Sequence, residues 1–168
     1  CSAIYFSQDP NDVPPIDKDD LRTWRREKVG LPSEAVEQGH YDLVIVGGGI
    51  TGCAAAIAAN SQGVKVAIIQ NRPILGGNAS GEIRVHTEGI HGRASEILDL
   101  IDTPWYPNSD PLALVADRKR MRNMNALENV DIYLSHIMTE CEMRDGRIHG
   151  IKAVETANGI LKRFTSDQ

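Results

Sequence analysis

Residues 43–55 read LVIVGGGITGCAA and decide how the chain folds. The first four residues are all apolar, as expected of a strand buried on both faces in a parallel sheet. Gly47-Gly48-Gly49 ends that strand, and the alanine-rich run at 50–61 predicts a helix that Gly63 terminates. Residues 64–69 are again apolar, so the stretch predicts a β-turn-α-turn-β unit.

The glycine loop matches the pattern G-x-G-x-x-G between a strand and a helix, which is the context that the motif requires. Gly47 permits the tight turn, Gly49 lets the backbone approach a pyrophosphate, and Gly52 lets the helix pack close to the sheet. The helix begins with Ile50 and Thr51, where free N–H groups and a partial positive charge favour phosphate. The motif therefore predicts a dinucleotide site.

The end of the second strand lacks the acid that usually binds the ribose hydroxyls there. Gln70, Asn71 and Arg72 stand at this place. The neutral amide of Gln70 or Asn71 can still hydrogen-bond a ribose hydroxyl, whereas Arg72 can receive the 2′-phosphate of NADP. These residues by themselves leave both FAD and NADP open.

A different pattern follows a third predicted strand at 130–134. Asp145-Gly146 and Asn158-Gly159 are the strongest short hairpin signals. They separate strand-like runs at 138–144, 147–155 and 160–165. Gly150 marks a predicted β-bulge. The sequence therefore predicts a three-stranded antiparallel meander after the third strand.

Two helices are predicted between the second and third strands, at 96–101 and 112–128. The second is expected to turn Leu114, Met121, Met124 and Leu127 inward. Its basic run (Arg118, Lys119, Arg120 and Arg122) is interpreted as a solvated face.

Residues 1–39 are interrupted by prolines and are predicted to form an arm on the surface of a dinucleotide-binding domain at 40–168. A short helix at 21–28 is expected in the arm, with Asp19 or Asp20 as its cap. Trp24 is the predicted anchor, because one large aromatic side chain buries much area.

The composition of the chain argues against several functional and structural classes. A net charge of −5 argues against a general nucleic-acid binder, and no run reaches the ~18 apolar residues of a membrane helix. Cys1, Cys53 and Cys141 form no CxxC pair, which excludes a zinc ribbon or a disulfide scaffold. Cys53 is interpreted as a small buried side chain. Cys1 fits either the first residue of a mature lipoprotein or a processing boundary, so localisation stays open between cytoplasmic and exported.

Residues 66–85, with AIIQNRPILGGNASGEIRV as their core, resemble a family of FAD-dependent oxidoreductases found widely in bacteria. These flavoproteins share a fold with two dinucleotide-binding domains, of the glutathione-reductase type. Gly76-Gly77 matches their glycine pair, and the meander matches their crossover before the last parallel strand. The resemblance implies an α/β, Rossmann-like FAD-binding domain and hydride transfer at the flavin to or from a small-molecule substrate.

The resemblance also assigns roles to residues. It places Gly47, Gly49 and Gly52 at the pyrophosphate, Gln70 at the ribose, Arg72 beside the adenine half, Gly76, Gly77 and Asn78 along the cofactor towards the flavin, and the backbone of Met138, in a turn at 135–138, at the adenine. The family pattern continues beyond Gln168 with a strand that closes on the flavin. We therefore expect a second chain or a further region to complete the FAD site.

A polar cluster follows the glycine pair, at Arg84, His86, Glu88, His91 and Arg93. The resemblance places it near the flavin ring, so Arg84, His86, His91 and Arg93 are candidate catalytic residues for substrate orientation, charge stabilisation or proton transfer. No metal site is predicted, because His86, Glu88 and His91 lack a further strong ligand at a known spacing.

Two other functions stay open. The missing acid and Arg72 suggest an NADP-binding domain, and the early end at Gln168 suggests a non-catalytic fragment or assembly module. Gly76-Gly77 and the meander favour FAD over NADP.

Overall fold

The computed structural model describes residues 5–89, 92–107 and 110–166. The chain divides into two compact units, Cys1–Ser33 and Glu34–Gln168. The helices are α1 (Lys18–Lys28), α2 (Ile50–Asn60), α3 (Ser95–Ile101) and α4 (Leu112–Asn125). The strands are β1 (Val36–Tyr41), β2 (Leu43–Val46), β3 (Val66–Ile69), β4 (Val130–Tyr133), β5 (His136–Arg144), β6 (Arg147–Glu155) and β7 (Leu161–Ser166).

The first unit contains α1, and Asp17 caps this helix. The Asp17 carboxylate accepts hydrogen bonds from the backbone N–H groups of Asp19 and Asp20, at 2.9 and 3.1 Å. The predicted cap was therefore wrong, since those two residues already belong to the first turn. Trp24 packs edge-on against Tyr5, with 4.7 Å between ring centroids. Its role as an anchor on the other unit stays a prediction.

The boundary between the units lies nearer the N-terminus than the sequence suggested. Residues 36–39, which were assigned to the arm, lie in β1 and pair in parallel with β7. This strand is mostly polar, and its register shifts between Glu37 and Gly39. A polar edge strand has little of the alternating pattern by which strands are recognised.

The second unit contains two sheets. One is parallel, in the order β2-β3-β4, and the other has the order β1-β7-β6-β5 with the antiparallel meander β5-β6-β7. The predicted α/β fold, with a parallel sheet, helices and a three-stranded meander, is therefore confirmed. The register of β5 against β6 shifts opposite Ile148–Gly150, which agrees with the predicted bulge.

Strand β3 lies at the centre of the unit, and all four of its residues are buried. Val66 and Ile68 pack into the cluster that includes Met124 of α4. Ala67 and Ile69 pack with residues of the meander such as Phe164. Burial on both faces explains why the strand is continuously apolar.

Helix α4 differs from the expected pattern. Met124 is fully buried, and Met121 and Leu127 pack against the core, but Leu114 is 54% exposed. The prediction for Leu114 was therefore wrong. The buried positions of this helix are Ala113, Ala116, Asp117, Arg120 and Met124.

Arg120 is fully buried, which corrects its assignment to a solvated face, although Arg118, Lys119 and Arg122 are exposed. Its guanidinium donates hydrogen bonds to the carbonyls of Ile101 (2.7 Å), Leu75 (3.2 Å) and Ala79 (3.2 Å), to the hydroxyl of Thr103, and to the carboxylate of Asp117 (2.9 Å). These partners belong to separate segments, so Arg120 ties together the loops around α3 and α4.

Replacement of Arg120 by Ala should destabilise the protein by about 3–5 kcal/mol, because Asp117 is left as an unpaired buried charge. Arg118→Ala is the matched control on the exposed face of the same helix, and we expect it to change stability by less than about 0.5 kcal/mol. Denaturant unfolding of both variants measures the difference. Equal stabilities of the Arg120→Ala and Arg118→Ala variants would contradict the conclusion that Arg120 holds the loops around α3 and α4 together.

Candidate functional site

The first glycine loop brings α2 against β2. Gly47 has a φ of 108°, a backbone conformation that favours glycine. A Cβ atom at Gly52 would lie 1.9 Å from the carbonyl oxygen of Gly47. Both positions therefore require glycine for the reasons that the motif predicted.

The N-terminus of α2 is left open. Gly49 is the N-cap residue and offers no side chain to the N–H groups of the first turn. Its φ of −70° is ordinary, and a Cβ atom placed on it would meet no atom within 4 Å. Space and uncapped N–H groups thus coincide at this end of the helix, which is an arrangement suited to an anion.

A second glycine loop touches the first, backbone to backbone. The N–H of Gly76 donates to the carbonyl of Gly48 at 2.7 Å, and Gly49 and Gly76 form a parallel β-bridge. A Cβ atom at Gly77 would lie 3.1 Å from the Cα of Gly49. The two loops can approach this closely because side chains are absent.

Arg120 lies directly behind the second loop. A Cβ atom at Gly76 would come within 2.4 Å of its Nη1 atom, and the φ of Gly76 is 111°. Position 76 therefore requires glycine both for its backbone conformation and for the space that the buried guanidinium occupies.

A cleft of about 580 Å³ opens between the loops. Its walls include seven of the predicted cofactor residues, Gly47, Gly49, Ile50, Thr51, Gly52, Gly76 and Asn78, and also His86 and Thr87. The structure therefore brings the two glycine loops and part of the polar cluster together around one cleft.

The Gln70 side chain faces the protein interior and is 4% exposed. Its Oε1 atom accepts from the N–H of Gly48 at 2.8 Å, and its Nε2 donates to the carbonyl of Ile74 at 2.9 Å. Gln70 thus links the two glycine loops. A ribose contact from Gln70 or from the exposed Asn71 stays a prediction.

Arg72 forms an ion pair with Glu82, with 2.8 Å between Nη1 and Oε2, and both side chains are 39% exposed. This pair gives the guanidinium an anionic partner within the chain. A carboxylate at this distance also repels a second anion such as a phosphate.

Met138 does not lie in a turn, contrary to the sequence analysis. It belongs to β5 opposite Ala153, and the turn before that strand contains Ser135, whose φ is 57°. The N–H groups of Ser135 and His136 donate to the carbonyls of Arg72 and Gln70, in the segment that follows β3. A contact between Met138 and adenine stays a prediction.

The candidate catalytic residues are dispersed. His86 lines the cleft, and its Nε2 atom lies 2.7 Å from Oε1 of Glu88. Its neighbour Thr87 donates a hydrogen bond to Asp102. Arg93 is exposed on the short helical turn Gly92–Ala94, and His91 lies outside the described residues.

Arg84 contributes no atom to the lining of the cleft, as far as the described residues show. Its Nε atom donates to the carbonyl of Gly81 at 3.1 Å. The sequence grouped Arg84 with His86, but the structure turns the two side chains to different surroundings.

Cys53 is fully buried beneath the first glycine loop, and its thiol lies 3.5 Å from the carbonyl oxygen of Gly48. Burial raises the pKa of the thiol to about 11. The structure thereby confirms Cys53 as a packing residue.

Within residues 5–89, 92–107 and 110–166, no cluster of three or more His, Cys, Asp or Glu side chains is arranged to hold a metal ion. No helix in the described part of the chain has both the length and the apolar character needed to cross a membrane.

Among solved structures, the chain is similar to a geranylgeranyl bacteriochlorophyll reductase-like protein from Thermoplasma acidophilum, with a TM-score of 0.55 and 18% identity over 79% of this chain and 38% of the other. It is also similar to L-proline dehydrogenase from P. horikoshii, with a TM-score of 0.51 and 21% identity over 82% of this chain and 23% of the other. At these identities the likeness shows the fold.

Among curated proteins, the chain is 25% identical to the tRNA uridine 5-carboxymethylaminomethyl modification enzyme MnmG of Finegoldia magna over 72% of its length. It is 35% identical to aerobic glycerol-3-phosphate dehydrogenase of Staphylococcus aureus over 43% of its length. It spans 22% and 12% of these two relatives. The family model for FAD dependent oxidoreductases matches residues 42–167, and the chain therefore belongs to the FAD-dependent oxidoreductase family.

Proposed function

We propose that this chain binds FAD in the cleft between its two glycine loops and forms the flavin-binding part of an oxidoreductase that acts on a small molecule. One observation carries the proposal. The Gly49–Gly76 bridge joins the loops at the uncapped N-terminus of α2, where the cleft opens. Backbone N–H groups and the helix dipole at this place suit a pyrophosphate.

The residues of the cleft fit the cofactor of the family. The first glycine loop offers its backbone to the pyrophosphate, and a Cβ atom added to Gly49 would meet no atom of the described structure within 4 Å, so the space beside the loop is open. Gly76 and Asn78 line the wall along which the rest of the cofactor would extend. When bound, FAD supplies hydride transfer, whereas the chain supplies binding and orientation.

FAD is favoured over NADP by the surroundings of Arg72. The binding of a 2′-phosphate requires a free cation, but Arg72 is already paired with Glu82 at 2.8 Å. The family points to FAD as well.

Among the described residues of the polar cluster, His86 is best placed to move a proton. It lines the cleft, and Glu88 accepts a hydrogen bond from its Nε2 or pairs with its protonated form. That contact orients the ring, and when Nε2 carries the hydrogen it leaves the lone pair of Nδ1 as the proton acceptor. We propose that His86 exchanges a proton with the substrate while FAD is bound.

The chain is much shorter than the whole enzymes to which it is similar. The chain spans about a fifth of the MnmG relatives that it matches, so the substrate, the electron acceptor and any second chain or region that completes the site are proposals. An assembly module without catalytic function is the competing proposal, and it requires no FAD binding.

Gly49→Ala should lower FAD affinity at least ~10-fold while the thermal stability stays within the error of the measurement. The added methyl meets no protein atom in the free chain, but it occupies the space that the pyrophosphate needs. Flavin fluorescence titration and thermal unfolding measure the two effects. Gln62→Ala, at an exposed position in the turn after α2, is the control and should change neither.

Gly52→Ala provides the contrasting case. Its methyl would collide with the carbonyl of Gly47, so we expect loss of stability as well as of binding. FAD bound by Gly49→Ala with unchanged affinity would contradict the placement of the pyrophosphate.

Arg72→Ala separates FAD from NADP. We expect FAD affinity to change less than ~3-fold, since the guanidinium is engaged by Glu82 and an exposed pair contributes little. If the chain were an NADP-binding domain, the variant would instead lose at least ~10-fold in NADPH affinity. Parallel titrations of the wild-type protein and the variant with FAD and NADPH decide between the two.

A further inference from the structure

Two neighbouring side chains in the wall of the cleft are each bonded to a carboxylate. His86 and Thr87 both line the cleft. The Nε2 atom of His86 lies 2.7 Å from Oε1 of Glu88, and the hydroxyl of Thr87 donates a hydrogen bond to Asp102. The first contact is exposed, whereas the second is half-buried. Water competes less with a half-buried hydrogen bond, so the bond between Thr87 and Asp102 defines the wall more firmly.

The position of Asp102 is fixed by its neighbours in the chain. Its N–H donates to the carbonyl of Leu98 in α3 at 2.6 Å, and its carboxylate accepts from the N–H of Thr103 at 2.6 Å. The preceding carbonyl, of Ile101, and the following hydroxyl, of Thr103, both bond to the guanidinium of Arg120. Asp102 is therefore held in place by the same buried cation that holds the second glycine loop.

The hydrogen bond to Asp102 leaves the Thr87 hydroxyl able only to accept a further one. A hydroxyl has one hydrogen and two lone pairs, and an ionised carboxylate can only accept. Asp102 therefore takes the hydrogen of Thr87, and the lone pairs of Oγ1 remain for a ligand. The charge of the carboxylate strengthens the attraction for a donor. His86 adds a second acceptor, the lone pair of Nδ1, when its Nε2 donates to Glu88.

We propose that Thr87 and His86, oriented by Asp102 and Glu88, form an acceptor subsite that binds the O–H or N–H group of an alcohol or amine substrate. The role in substrate binding rests on the proposed function, whereas the binding of a donor group does not. Thr87 is the binding residue, and Asp102 is a positioning residue because it acts through Thr87. A carbonyl group carries lone pairs but no hydrogen, so it would meet two acceptors here and bind poorly.

The probes are 2-butanol, 2-aminobutane and 2-butanone, which share a carbon skeleton and differ in the group that they offer. Each probe is titrated against isotopically labelled protein, and binding is followed through the backbone amide shifts by NMR. We expect the wild-type protein to bind the alcohol or the amine at least ~10-fold more tightly than the ketone. Tighter binding of the alcohol supports an alcohol substrate, and tighter binding of the amine supports an amine.

Substitutions at Thr87 and Asp102 separate the acceptance of a hydrogen bond from a structural role. Thr87→Val keeps the shape of the side chain and removes the hydroxyl, so the preference over the ketone should fall below ~3-fold. Thr87→Ser restores the hydroxyl and should restore the preference. Asp102→Ala frees the Thr87 hydrogen to donate, and the preference should shift towards the ketone by at least ~3-fold. Thr139→Val removes a hydroxyl from an exposed position in β5 and is the control.

Thermal unfolding shows whether each variant is folded before it is titrated. A purely structural role of Asp102 would weaken the binding of all three probes equally in Asp102→Ala, and this result would overturn the proposal. Equal affinity of the wild-type protein for the three probes, or an unchanged preference in Thr87→Val, would overturn it as well. If Asp102→Ala does not fold, the comparison of Thr87→Val with Thr87→Ser decides.

Titration of the same variants with FAD separates this proposal from the previous one. Thr87→Val should leave the FAD affinity unchanged within the error of the measurement, because its hydroxyl binds the substrate. Loss of FAD affinity with an unchanged preference among the probes would assign the hydroxyl to a donor group of FAD and overturn the subsite. A preference for donors that depends on Thr87, in a protein that takes up no FAD, would support the subsite and overturn the proposed function.

Discussion

The buried guanidinium of Arg120 is the interaction on which the rest of the site depends. It bonds to carbonyls of Leu75 and Ala79, on either side of the second glycine loop, and to the carbonyl of Ile101 at the end of α3. Asp117 balances its charge. A buried cation is tolerated only when its donors are satisfied, so these segments can occupy only a narrow range of positions.

The form of the cleft follows from that constraint. With Gly76 pressed against Arg120 and its N–H bonded to the carbonyl of Gly48, the second loop has a fixed register against the first. Gln70 adds a further tie between the same loops. A site that binds through its backbone needs such rigidity, because backbone groups cannot adjust as side chains do.

The sequence predicted the features that depend on local pattern. The βαβ unit, the meander and its hairpins, and the glycines at 47, 49, 52, 76 and 77 are all marked by short-range signals, and the structure brings most of these glycines to one cleft. The burial of Arg120 was missed because a run of basic residues on a helix is normally solvated. Arg120 is buried because loops from elsewhere in the chain, which contain Leu75 and Ala79, cover it.

Other differences have the same origin. Strand β1 pairs with β7, which is more than a hundred residues away, and its polar sequence gives no sign of that partner. The sequence also contains no sign of the partners of the Gln70 amide within the chain, the N–H of Gly48 and the carbonyl of Ile74, because the fold alone brings these groups together. Contacts between residues that are distant in sequence thus determine the features that the local sequence pattern does not predict.

The most direct test of the account is hydrogen–deuterium exchange of the backbone amides with and without FAD. We predict that FAD slows the exchange of amides in both glycine loops together, at residues 49–53 and 76–79, because one ligand binds across both. Protection confined to one loop, or the absence of protection at either, would contradict the claim that the two loops form a single FAD site.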